Sequence, residues 1–566
     1  MNYGMIVRTL GRALFIEAAC MIPPLLVSLA CGEARSAIAF GACAAGIAAL
    51  GAAARALRPK SAEIYARDGF AIVGFGWLLM SVLGALPFFA SGALPSLGDA
   101  LFESVSGFST TGASVVLDVE ALPAGIVLWR SLASWLGGIG FLVLMLAISP
   151  SARANTVHIL NAETPGPQSD KFVPHVGRIA RILYGIYIAL TLAQAGLMLL
   201  GGMSPFDAAI HALGTASTGG FSNRSMSVAA YGSAYLEAVI VAFMLLSSLN
   251  FALFHALSAR NWRLVIHNEE LRVYLIVMAS AIALTAASML HGSGGAGPPG
   301  AAGGVGAAGG AGAAGVALAG AAGVAGTAVP GGAEAGAVAM GVAAGAAGGA
   351  GAAATVGVAA GAGTAGAVAA VGVAAVGAAG GVGAALRYSA FHVVSISTTT
   401  GYATADYSAW PVFSQCVALL LMVIGASGGS TGGGLKCIRA ILLFKTVRRE
   451  CGKLVHPRSV TTVKLNGKAV DEDTLRGVVV FFFLYVAIIG AGALVVSLDG
   501  KDLVSTVTSV VACVANIGTG LGAAGGNANY AAFSGLSKFA LAACMFVGRL
   551  EIYPVLLLCA PSFWKR

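Results

Sequence analysis

The sequence predicts an all-α polytopic membrane protein: two leading helices, then four repeats of a helix, a short re-entrant segment and a second helix. Three observations carry this prediction. Of 566 residues, 58% are hydrophobic and only 10% charged, with a mean hydropathy of +0.87, whereas soluble chains carry about 25% charge. Apolar runs of about 20 residues recur along the chain, each long enough to cross a hydrocarbon core of roughly 30 Å as a helix. One short Ser/Thr/Gly pattern returns four times, always between two such runs.

Candidate spans lie at 8–30, 36–56, 69–90, 126–148, 180–201, 232–257, 272–291, 411–445, 477–498 and 534–560. The first two form a leading pair (1–60), and the rest fall into repeats at 61–150, 151–260, 261–455 and 456–566. Arg8 and Arg12 before an apolar run resemble a signal peptide. Glu17 and Pro23-Pro24 interrupt that run, so an uncleaved first helix is expected. With the N-terminus in the cytoplasm, Arg55, Arg58, Lys60 and Arg67, then Arg153, Lys171, Arg178 and Arg181, then Arg260, Arg263 and Arg272 fall on one side. The richest basic stretch, Lys436 to Arg476, and Lys565-Arg566 join them there. This asymmetry fixes the orientation and explains the net charge of +9. A nucleic-acid partner is not needed to account for it. The nine cysteines show neither CxxC nor Cys/His spacing, which argues against a metal site or a disulfide framework.

Residues 293–385 are almost entirely Gly, Ala and Val. Glycine costs about 1 kcal/mol in a helix relative to alanine, and scarcely any Leu, Ile or Phe anchors the stretch. A flexible external insert is expected; an extra pair of weak helices is the alternative, and it leaves the later topology unchanged.

The repeats come next. A polar residue precedes a glycine by nine positions in each: Glu103 and Gly112, His211 and Gly220, His392 and Gly401, Ser509 and Gly518. Each intervening segment is too short to span, but it can dip halfway into the membrane and return as extended backbone. Irregular backbone at that depth is tolerated only where it lines a water-filled cavity or packs against protein. Four such loops around one axis would present rings of carbonyl oxygens able to replace the hydration shell of K+. Glycine permits backbone angles closed to residues with a Cβ, and the neighbouring hydroxyls can add oxygens or tie the loop down. One Thr-Thr-Gly would be an ordinary helix-packing surface; four at one topological place are not.

On these residues the chain resembles the Trk/Ktr/HKT potassium transporters, and most closely their TrkH-type bacterial uptake subunit. The resemblance rests on Ser109-Thr-Thr-Gly-Ala113, Ser217-Thr-Gly-Gly-Phe-Ser222, Thr398-Thr-Thr-Gly-Tyr-Ala403 and Asn516-Ile-Gly-Thr-Gly-Leu-Gly522. Gly425-Ala-Ser-Gly-Gly-Ser-Thr-Gly-Gly-Gly-Leu-Lys436 and Gly548-Arg-Leu-Glu-Ile552 also match, so it covers nearly everything except 293–385. It implies four pseudo-fourfold helix–pore-loop–helix repeats around one ion pore, with K+ as the transported ion. The implied filter is Thr110, Thr111 and Gly112; Thr218, Gly219 and Gly220; Thr399, Thr400 and Gly401; and Asn516, Ile517 and Gly518. Gly220 rather than Gly219 keeps the register with the other repeats. The chain departs from the family pattern in the long insert and at Thr519, where related sequences often carry proline.

So many glycines at 425–434 cannot hold a membrane helix together, so a break is expected there; a close helix crossing is the alternative. In the family the equivalent segment is an intramembrane loop obstructing the pore, which here would be Gly428, Gly429, Ser430, Thr431, Gly432, Gly433 and Gly434. Arg549 is a charge inside the last apolar run, and such residues usually face a cavity and a partner. The resemblance sets it against the glycine loop as part of the gate. Pairing with Glu551 or snorkelling to an interface are the alternatives, though residues two apart on a helix do not face each other.

Other signals carry less. Gly428 to Lys436 lacks the residue order of a phosphate loop. Trp129-Arg130 begins a packing or pore-lining helix without chemistry of its own, and His158 and His175 fit a solvated or regulatory surface. With no catalytic constellation, the expected function is K+ uptake, not an enzymatic reaction. Because the filters lack a full TVGYG, a less selective Na+/K+ channel or sodium-coupled transporter is the alternative. An ATP-driven pump would need a nucleotide motif or an intramembrane acidic pair. The resemblance further implies a homodimer and a cytoplasmic nucleotide-binding regulatory subunit of the TrkA type, docked on the basic stretch Lys436 to Arg476. It also implies a lipid-embedded place in the bacterial inner membrane, with both termini cytoplasmic.

Overall fold

The computed structural model of the chain describes residues 1–57, 65–138, 140, 176–258, 260–292, 381–458, 461–526 and 529–564. Residues 293–380 of the expected insert, Arg58, Lys60, Arg153, His158, Lys171, His175 and Lys565-Arg566 lie outside them. Among the described residues, six helices are long and apolar enough to cross a membrane: Tyr3–Ala30, Ala34–Ala56, Arg67–Ala90, Ala180–Leu200, Glu269–His291 and Glu472–Asp499.

Three of the other expected spans are interrupted. Those expected at 232–257 and 534–560 are not straight: Ala234–Ser248 meets Phe251–Ser258 at 92°, and Gly535–Arg549 meets Tyr553–Cys559 at 115°. At the second bend Glu551 and Ile552 both adopt left-handed backbone (φ 54° and 65°), a conformation no helix continues through. The 411–445 run is split by its glycines into Val412–Ile424 and Cys437–Val455. The 126–148 run is described as the helix Ala124–Gly138.

The short helices Leu97–Phe108, Pro205–Ala216, Gly381–Ser397 and Leu503–Val514 stand between the spans, one to each repeat. Ser96, Ser204 and Asp502 cap three of them by accepting from the amide three residues on. The third begins at Gly381, so the last residues of the stretch read as insert, 381–385, are helix, and Ala385 is buried. Their Gly/Ala/Val composition matches the insert and hides the boundary.

The leading helices Tyr3–Cys20 and Ala34–Ala56 pack closely through Gly11 and Gly51, where each added Cβ would strike the other backbone. The four repeats share their walls in rotation. Leu97–Phe108 packs on Gly535–Arg549, Pro205–Ala216 on Ala124–Gly138, Gly381–Ser397 on Ala234–Ser248, and Leu503–Val514 on Val412–Ile424. Each pore helix therefore rests on the second helix of the preceding repeat, and the first rests on the last. That is a closed pseudo-fourfold ring.

Candidate functional site

Beyond each pore helix the backbone takes the same unusual course. Thr110, Thr218, Thr399 and Asn516 are left-handed, at φ 57°, 55°, 59° and 55°, and the glycines two residues on, Gly112, Gly220, Gly401 and Gly518, are left-handed again. Left-handed residues other than glycine are uncommon, and here they recur at four equivalent places. Hydrogen bonds explain the course. The amides of Thr111, Gly219, Thr400 and Ile517 turn back to Ser106, Gly214, Ser395 and Ala512 carbonyls at 2.8–2.9 Å, satisfying the orphan acceptors of the helix ends.

The carbonyls of those same residues meet the neighbouring repeats. A Cβ added to Gly112 would strike the Gly219 oxygen, one on Gly220 the Thr400 oxygen, one on Gly401 the Ile517 oxygen, and one on Gly518 the Thr111 oxygen. The contacts run through all four repeats and return to the first. The structure thus brings Gly112, Gly220, Gly401 and Gly518 into one closed ring of contacts, each lending its absent side chain's space to a neighbour's carbonyl. Thr110, Thr111, Thr218, Thr399, Thr400, Asn516 and Ile517 are all fully buried. Hydroxyl pairs stiffen the loops: Ser109 with Thr111 (2.7 Å), Thr398 with Thr400 (2.9 Å) and Ser217 with Ser134 (2.9 Å). Two buried oxygens, Thr110 Oγ1 and Asn516 Oδ1, have no hydrogen-bond partner among the described residues.

The polar residue nine positions before each glycine has a job that spacing alone did not reveal. Glu103 accepts from Ser114 Oγ and the Val115 amide, both at 3.0 Å, holding the chain just past Gly112. His211 Nε2 lies 3.2 Å from Ser222 Oγ, and His392 Nε2 accepts from the Thr404 (3.4 Å) and Ala405 (3.1 Å) amides. In the fourth repeat the role shifts by one residue: the Leu521 amide donates to Thr508 Oγ1 at 2.9 Å, while Ser509 bonds within its own helix. Arg130, read from sequence as inert, forms a buried ion pair with Glu103 at 2.7 Å and sits 4.3 Å from the centre of the Phe221 ring. It ties the first loop to the second. The signal was absent from the sequence because the partners are 27 residues apart and meet only through tertiary packing.

The glycine run lies directly against the same loops. The Gly433 amide donates to Thr399 Oγ1 at 2.8 Å, and Thr218 Oγ1 to Thr431 Oγ1 at 3.3 Å. A Cβ at Gly432 would crowd Thr398 and Thr399, and one at Gly433 would strike Ala515 and Asn516. The run therefore touches three of the four left-handed positions. Its other side is fastened by the Gly428 amide to Glu270 (2.6 Å), the Ser427 amide to Ser248 O (3.3 Å) and the Phe251 amide to Gly429 O (3.1 Å). Ser430 Oγ closes it locally on Ser427 O at 2.7 Å, and Gly434 packs on Gly425.

Arg549 sits at the bend of the last span. Its guanidinium donates to Thr431 O at 2.8 Å and to the carbonyls of Gly137 and Gly138, joining the run to the end of the helix Ala124–Gly138. Glu551, two residues on, pairs with Arg439. Lys436 and Arg439, counted from sequence into the inner basic surface, are buried instead. Loop carbonyls and Glu551 compensate them: Lys436 Nζ donates to Gly432 O at 2.5 Å.

A family model described as TrkH, cation transport protein, matches residues 38–289 and 369–566. The Trk system potassium uptake protein TrkH of Halomonas elongata is 31% identical over the whole of both chains. TrkH of Escherichia coli strain K12 is 30% identical, again over both full lengths. The crystal structure of the potassium transporter TrkH from Vibrio parahaemolyticus superposes over 100% of both chains with a TM-score of 0.76 and 28% identity. Repeats, broken helices and relatives agree: this chain is a membrane-spanning member of the TrkH family of cation transport proteins.

Proposed function

We propose that the chain takes up K+ across the bacterial inner membrane, through a filter made of residues 110–112, 218–220, 399–401 and 516–518. The observation that carries this reading is the closed cycle in which the carbonyl before each glycine abuts the preceding repeat's glycine. A ring of neutral carbonyl dipoles without a carboxylate suits a large monovalent ion that exchanges its hydration shell readily and leaves again. Divalent ions call for charged oxygen ligands. The relatives named as potassium uptake proteins support the choice of ion.

The gate is the run Gly428 to Gly434, held under the filter by Arg549. Displacing the run breaks its bonds to Thr218 and Thr399 but no covalent or helical structure, so opening is a local change. The repeats at 61–150, 151–260, 261–455 and 456–566 act as the units of the pore. The working assembly is a homodimer with a TrkA-type nucleotide-binding subunit on the cytoplasmic face. The purified chain in liposomes, with an inward potential, tests this. K+ uptake that excess Na+ does not suppress supports the reading, whereas Na+ flux equal to K+ flux favours the unselective cation channel. Adding the regulatory subunit should alter the flux in a nucleotide-dependent way.

A further inference from the structure

A small cavity lies between the third pore helix and the helices Glu269–Gly292 and Val412–Ile424. Thr285 of Glu269–Gly292, His392 of the pore helix, Trp410, and Ser414 of Val412–Ile424 line it, together with apolar side chains. Four polar atoms there have no hydrogen-bond partner among the described residues: Thr285 Oγ1, His392 Nδ1, Trp410 Nε1 and Ser414 Oγ. All four residues are at most 5% exposed. One buried orphan is unremarkable; four around one cavity call for an occupant, since each unsatisfied group is unfavourable at membrane depth.

The chemistry of the four selects that occupant. His392 Nε2 accepts from two backbone amides, which can only donate. The ring is therefore neutral with its proton on Nδ1, an unpartnered donor on a residue that lines the cavity. The indole of Trp410 can only donate. The hydroxyls of Thr285 and Ser414 can each accept. Two donors and two acceptors match the two lone pairs and two hydrogens of one water molecule. A cation is excluded by the N–H groups, and an anion would be an uncompensated buried charge. The cavity holds the centre of about one water.

We propose that this cavity is a structural water site, and that the water fastens His392 to the two flanking spans. His392 in turn holds residues 404 and 405, just past Gly401, so the site is a positioning device for the third filter loop.

Thr285→Val and Ser414→Ala separate the two readings. If the groups are orphans, removing a hydroxyl leaves thermal stability unchanged or raised. If they share a water, each variant lowers the melting temperature in detergent by about 1–2 °C, and the double variant loses less than the sum because the two act on one molecule. A rise, no change or strict additivity overturns the proposal. A cryo-EM map of the wild-type chain in nanodiscs gives an independent reading. A single density peak within hydrogen-bond reach of all four atoms supports it. No peak, or one that strengthens when chloride is replaced by bromide, overturns it.

Discussion

Gly401→Ala separates the cost of backbone conformation from the cost of breaking the carbonyl ring. Gly401 is at φ +80°, where an L-residue is disfavoured by about 1–2 kcal/mol; alanine recovers about 0.4–1 kcal/mol through the unfolded chain. Conformation alone thus leaves a net loss near 1 kcal/mol. Gly500 is a matched control, because its φ is +67° and an added Cβ there meets nothing within 4 Å. At Gly401 the Cβ would collide with the Ile517 carbonyl, which is backbone and cannot rotate away like a side chain. One of four ring oxygens must leave its place. Gly500→Ala is expected to lower stability slightly and keep wild-type transport. Gly401→Ala is expected to lose at least tenfold in K+ preference over Na+, a discrimination of about 1.4 kcal/mol. Both are measured as Rb+ uptake into proteoliposomes with competing Na+, alongside melting curves. If Gly401→Ala keeps its selectivity while behaving like Gly500→Ala in stability, the ring is not the filter.

Arg549→Ala removes the donors that hold Thr431 O, Gly137 O and Gly138 O together, so flux without the regulatory subunit should rise several-fold; unchanged basal flux would remove Arg549 from the gate. Replacing 293–380 by a short linker should leave uptake within about twofold, and total loss in correctly inserted protein would show that the segment is part of the pore. Arg130→Met leaves Glu103 buried without its counter-charge and should cost about 3–5 kcal/mol. The double change with Glu103→Leu should recover much of that, and a double variant no better than the single would refute the pairwise account.

The repeat architecture was legible because each copy carries both its glycine and its flanking apolar runs, and the break at 425–436 because glycines announce it. The other two breaks were not. Leu249-Asn250 and Leu550-Glu551-Ile552 contain no glycine or proline; tertiary contacts impose their geometry, notably Asn250 beside Gly429 and Glu551 bound to Arg439. Hydropathy saw continuous spans there because composition is blind to a turn that other helices stabilise. The histidines and Glu103 were visible as a register, but the hydroxyls and amides they hold lie 11–13 residues onward, across the fold of the loop. Lys436 and Arg439 were misread for a related reason, since a basic residue buried beside carbonyls looks in sequence like one facing cytoplasm.

The rotated sharing of walls bears on how the chain is made. The support of the first pore helix, Gly535–Arg549, is synthesised more than 400 residues after it, a delay of roughly 20–90 s at usual elongation rates. Until then Leu97–Phe108 lacks one of the helices it packs on, and Asp99 lacks Lys538, the partner it meets at 2.7 Å. The nascent chain must carry an unfinished polar segment at membrane depth through most of translation. The last repeat acts as a keystone, and a chain cut short near its C-terminus fails first at the repeat made earliest.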